Sequence, residues 1–148
     1  MSGNLELELQ KQFKAAQEKY IYFLLAVSAS AIGYAITQLK VEPFNLNHIA
    51  FGISILLWAL SFMCGLKFIE FTADSTFKNM LYLSFKRELK NSPNYAELVS
   101  NYKSDLYEKS EATMKRLALY GGLQSKLLLL GALSYICWHA LMMLSVSA

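Results

Sequence analysis

Apolar positions along the chain gather into three long runs, Tyr20–Leu39, Ile49–Phe68 and Leu127–Val146. Lys67, at the edge of the second run, is the sole Asp, Glu, Lys or Arg within those limits. A helix needs about 20 mainly apolar residues to cover roughly 30 Å of hydrocarbon. The pattern predicts an all-α, polytopic integral membrane protein with three transmembrane helices and a cytoplasmic helical hairpin between the second and third.

The segments between and before the runs keep a helical period. Asn4 is placed to cap a first helix, and Leu5, Leu9, Phe13, Ala16 and Tyr20 recur at spacings of four and three. Residues 1–19 are therefore expected to form an amphipathic helix, either along the inner membrane surface or as a stalk beneath the first span. Residues 20–68 form a transmembrane hairpin turned at Pro43 and Asn45–Asn47. Beyond Phe68 the apolar period continues through Ala73, Phe77, Leu81, Phe85 and Leu89, with no Gly or Pro between Gly65 and Pro93. The second span should thus continue as one helix of about forty residues, near 60 Å long. Ser92 and Pro93 are suited to restart a helix. Its stripe of Tyr95, Leu98, Val99, Tyr102, Leu106, Thr113, Leu117 and Tyr120 completes the hairpin over 69–122. Gly121-Gly122 is expected to hinge it to the third transmembrane segment, 123–148.

Charge fixes the expected orientation. Of fourteen basic residues, only Lys40 falls between the first two runs, and none follows the third. Because Lys and Arg stay on the cytoplasmic side, the N-terminus is expected inside and the C-terminus outside, in a bacterial inner membrane. Residues 1–19 are polar and lack the short apolar core of a cleaved signal. A net charge of +3, with basic and acidic residues interspersed through 67–126, argues against a nucleic-acid partner and fits a wet helical surface near anionic headgroups. Cys64 and Cys137 both fall in spans and read as small apolar residues.

Few residues carry chemistry. Ala26/Ser30 and Ala29/Gly33 are small-xxx-small pairs that admit a neighbouring helix, and Ser61/Gly65 repeats the theme. His139 is the ionisable group deepest in a span and a candidate for pore lining or proton sensing, set against a plainer reading as a packed side chain. Glu70 and Asp74 share a helix face and would form a cation vestibule if several copies ringed a pore; alternatively they pair with Lys67 and Lys78. Lys86, Arg87, Tyr95, Tyr102, Lys115 and Arg116 are candidates for contact with a small signalling ligand, a cytoplasmic partner protein or lipid phosphates. Two histidines are too few for a metal site within one chain. The span hydroxyls lack an activating partner, and they are expected to bond to backbone or to cross to a neighbouring helix. No phosphate-binding loop, nucleophile elbow or paired-cysteine motif is present. The chain is expected to be no enzyme and to hold no cofactor.

In layout alone the chain resembles three groups of small prokaryotic membrane proteins: two- or three-span effectors with a helical sensor in antiviral defence, phage holins, and immunity proteins against pore-forming toxins. Three-span holins usually run N-out with a short charged inner tail, which the inferred orientation and long inner segment oppose. Two functions follow as expectations. One is a subunit of a homo-oligomeric assembly that forms or gates a pore or perturbs the membrane. The other is a membrane anchor or accessory subunit whose hairpin docks a partner protein.

Overall fold

The computed structural model describes residues 2–38, 48–88 and 95–146, with some side chains near the start of the first and third segments left aside. These residues form three helices: α1 (Ser2–Thr37), α2 (His48–Glu88) and α3 (Tyr95–Val146). Each contains a stretch long and apolar enough to cross a membrane, within Lys11–Thr37, His48–Glu88 and Ser110–Leu144.

Local chemistry accounts for the helices. Between Gly3 and Gly33, α1 has neither Gly nor Pro to interrupt its hydrogen bonds. It begins at Ser2, so Asn4 lies inside the first turn rather than capping it. Its last turn tightens where the Gln38 amide donates to Ala35 O (3.1 Å) and Thr37 Oγ1 donates to Tyr34 O (2.7 Å). α2 is one helix of 41 residues with Lys86 and Arg87 in its last turn, where cations meet the negative end of the helix dipole. The expected hinge at Gly121-Gly122 is not a break: α3 continues through both glycines for 52 residues. Ser125 Oγ donates to the carbonyls of Gly121 (3.2 Å) and Gly122 (3.3 Å). A helical glycine costs about 1 kcal/mol relative to alanine, which the surrounding Leu-rich helix absorbs. The turn at Pro43 and Asn45–Asn47 and the restart at Ser92-Pro93 lie outside the described residues.

The chain divides into two units, Met1–Leu66 with Gly121–Ala148, and Lys67–Tyr120. In the first, Ile21, Leu24, Leu25 and Ala35 of α1 are buried, as are Phe51, Trp58 and Cys64 of α2. Ala35, Phe51 and Trp58 centre a cluster to which α3 contributes Leu128, Ala132, Tyr135 and Trp138. Aromatic rings fill one part of it: Phe51 and Trp138 have centroids 4.7 Å apart, and Trp58 and Tyr135 5.6 Å. The outward faces are apolar too, with Ile53, Leu56 and Met63 of α2 and Leu129, Leu133 and Ile136 of α3 all exposed.

The second unit is built differently. Lys67 pairs with Glu70 and Lys78 with Asp74 along α2, each at 2.6 Å, and Lys115 pairs with Glu111 along α3 at 2.8 Å. Phe71 stacks on Tyr120 at 5.6 Å, and the Arg116 guanidinium lies 5.6 Å from the Phe71 ring centre.

Candidate functional site

The most organised polar feature is a seam inside the first unit, and the sequence builds it from small residues. On α2, Ala50, Ser54, Trp58, Ser61 and Gly65 recur at four, four, three and four. On α3, Gln124, Leu128, Gly131, Tyr135 and Trp138 recur at four, three, four and three. Each set defines one face of its helix, and the two faces meet antiparallel.

Side chains cross the seam to reach backbone carbonyls. Ser61 Oγ donates to Gln124 O (2.8 Å), Trp58 Nε1 to Leu128 O (3.2 Å), and Ser134 Oγ to Ala50 O (2.9 Å). Helical carbonyls already accept one bond, and their second lone pair serves these donors. From α1, Ser28 Oγ donates to Leu24 O (2.8 Å) and lies 3.3 Å from Ser61 Oγ. Ser28, Ser61 and Gln124 thereby join all three helices through residues that are fully buried. The hydroxyls thus do both things expected of them, since Ser54 Oγ stays local and donates to Phe51 O at 2.6 Å.

Two glycines make the approach possible. A Cβ at Gly65 would collide with the Gln124 amide and sit 2.7 Å from Leu25 Cδ2. A Cβ at Gly131 would come within 2.6 Å of the Trp58 ring and 3.2 Å of Ser54 O. At Gly33 nothing lies within 4 Å of the same atom. The Gln124 side chain is fully buried against Gly65, yet neither its amide nitrogen nor its amide oxygen is hydrogen-bonded. An unmet buried amide costs about 1–3 kcal/mol. The Trp138 indole N–H is similarly buried and unbonded.

The candidates from sequence are distributed as follows. Ser61 and Gly65 are buried in the seam, whereas Ala26, Ala29, Ser30 and Gly33 are exposed on α1. Glu70 and Asp74 are held in their pairs with Lys67 and Lys78. His139 is exposed on α3, its ring 6.2 Å from that of Trp138. Lys86, Arg87, Lys115 and Arg116 are exposed, and the side chains of Tyr95 and Tyr102 lie outside the described residues. Among the described residues, no three His, Cys, Asp or Glu side chains gather as a metal site requires.

Gln124, Gly131 and Trp58 are seam residues that run-based reading passes over. Gln124 precedes the third apolar run by three positions, where it looks like a boundary residue. The heptad-like spacing on α3 is the signal that would have found it. Chemically the seam offers neutral donors and acceptors that join helices. No family model, curated protein or solved structure matches the chain.

Proposed function

We propose that the chain is an integral membrane subunit that assembles with copies of itself to form or gate a pore. One observation carries this reading: the outward faces of the three helices in the first unit differ. Those of α2 and α3 present Ile53, Leu56, Met63, Leu129, Leu133 and Ile136, side chains suited to lipid tails. On α1 the exposed set includes Ala26, Ala29, Ser30 and Gly33, with nothing within 4 Å of a Cβ at Gly33. These small residues stand among the exposed Tyr22, Phe23, Tyr34 and Ile36, and a second helix gains close backbone approach at them.

Charge supports the orientation. With the N-terminus inside, only Lys40 of fourteen basic residues lies on the outer side. The unit Lys67–Tyr120 then stands in the cytoplasm, where its ion-paired surface is at home. The seam's serine hydroxyls and the Trp58 indole are spent on joining helices, so a pore in this reading lies between copies. The compartment is read as a bacterial inner membrane from layout alone, and the antiviral-effector analogy adds a signal arriving at the cytoplasmic unit.

The test is the subunit mass in detergent, followed by dye release from liposomes. An oligomer that leaks dye, with both properties lost in Ser30→Leu and Gly33→Leu variants of unchanged helix content, is the expected result. A monomer that leaves liposomes sealed removes the proposal.

A second reading is favoured by Phe77, Met80, Leu83 and Met114, all exposed in the Lys67–Tyr120 unit. Apolar side chains facing water mark docking surfaces, so the chain would then anchor a partner protein. In that case Phe77→Ser and Met80→Ser variants lose the partner while liposome permeability stays unchanged.

A further inference from the structure

We infer that the N-terminal part of α1 is a self-association stalk, in which copies of this chain pack in parallel through Leu9, Phe13, Ala16 and Tyr20. The inference rests on the oligomeric reading above and names where the subunits meet outside the bilayer.

The first step is length. α1 runs unbroken for 36 residues, about 54 Å at 1.5 Å per residue, against roughly 30 Å of hydrocarbon. Its buried positions begin at Ile21. The turns before Tyr20 are therefore surplus to a span. A helix continuing in line with a span, with no Pro or Gly to bend it, projects into water instead of lying along the headgroups.

The second step is that an apolar stripe on this projection is uncovered. Leu9 is 56% exposed, Phe13 72% and Tyr20 51%, and every described side chain from Lys11 to Tyr20 is exposed. The face that packs in the first unit, through Ile21, Leu24, Leu25 and Ser28, is a different one. Among the described residues nothing shields the stripe from Lys11 to Tyr20.

The third step identifies the occupant. The spacing from Leu9 to Tyr20 is four, three, four, and Phe23, Val27 and Ser30 extend it at three, four and three, up to Tyr34, whose ring packs edge-on against Tyr135 of the same chain. That is the heptad seam of two helices wound in parallel. It reaches the small-residue surface of α1 at Ser30, so a single partner helix can follow both. Residues that border the stripe in its lower turns, Gln10, Gln12 and Gln17, are neutral, while Lys11, Lys14 and Glu18 lie on the far side. Between Leu9 and Tyr20 identical helices thus meet with Lys19 as the charge at a bordering position, while Glu6, three residues before Leu9, bounds the stripe at its lower end. A second copy of this chain satisfies the pattern without any added complementarity.

The experiment places single cysteines in the full chain, in a Cys64→Ala, Cys137→Ala background, reconstituted in liposomes and oxidised. Expected is a periodic profile, with same-position disulfide dimers several-fold more abundant for Leu9→Cys, Phe13→Cys and Ala16→Cys than for Lys11→Cys, Lys14→Cys and Glu18→Cys. A flat profile from protein that is still oligomeric by mass overturns the stalk and spares the assembly. Monomeric protein overturns both. A bromolipid that quenches a fluorophore on Phe13→Cys as strongly as one within the spans would show a membrane-lying helix and also overturn the stalk.

Discussion

The two units solve the same problem, joining helices, with opposite chemistry. Across Met1–Leu66 and Gly121–Ala148, small residues bring backbones together, and hydroxyl and indole donors reach carbonyls on another helix. Within Lys67–Tyr120, ion pairs lie along single helices, and among the described contacts between α2 and α3 are a stacked aromatic pair and a guanidinium over one of its rings. Charges held three or four residues apart are at home in water, where exposed pairs contribute little. Uncharged donors aimed at second lone pairs suit a medium with no competing water. The contrast fits the proposed placement of the first unit in the bilayer and of the second in water, and it draws on contacts where hydropathy draws on composition.

Substitutions test that contrast in descending order of effect. Gly65→Leu forces a side chain into the space held by the Gln124 amide and Leu25, and overpacking of this kind costs about 3 kcal/mol. Thermal melting in detergent should show the largest drop for this variant, while Gly33→Leu leaves the fold of the single chain intact. A Gly65→Leu protein that melts like the parent would mean the close approach is not present. Ser61→Ala removes the bond to Gln124 O and the contact with Ser28 Oγ, and should cost about 1 kcal/mol by the same melting assay, within the range for hydroxyl bonds between membrane helices.

Gln124→Met carries the opposite sign. It keeps the volume and removes an amide that has no partner, so stability should rise by about 1 kcal/mol. A loss of stability instead would show that the amide finds a partner in the working protein. The smallest effect belongs to the second unit: Asp74→Asn breaks an exposed pair and should change stability by less than about 0.5 kcal/mol, with even that difference fading in high salt.

Much of the architecture was legible before any coordinates. The three apolar stretches and the unbroken α2 follow from run length and from the lack of Gly and Pro between Gly65 and Pro93. The pairing of Glu70 and Asp74 with neighbouring lysines follows from spacing. At Gly121-Gly122, where a hinge or kink is expected, the helix runs on without a break, because paired glycines lower helix propensity without forbidding helix, and the two units divide just before them. The seam was half visible. Ser61 and Gly65 announce a close approach, but the face that receives them is defined by Gln124 and Gly131, one polar and one small, which stand at the edge and in the middle of a leucine-rich run. Hydropathy blurs both, and only the period on α3 separates them from their neighbours.

The antiparallel meeting of α2 with α3 also has a consequence in time. Trp58 and Leu128 are 70 positions apart, and Ala50 and Ser134 are 84 apart. On a ribosome, the first two helices emerge long before the carbonyl that Trp58 needs and the hydroxyl that Ala50 accepts from. Contacts so distant along the chain form late. The early hairpin therefore waits with its binding face open until the last segment arrives to close it.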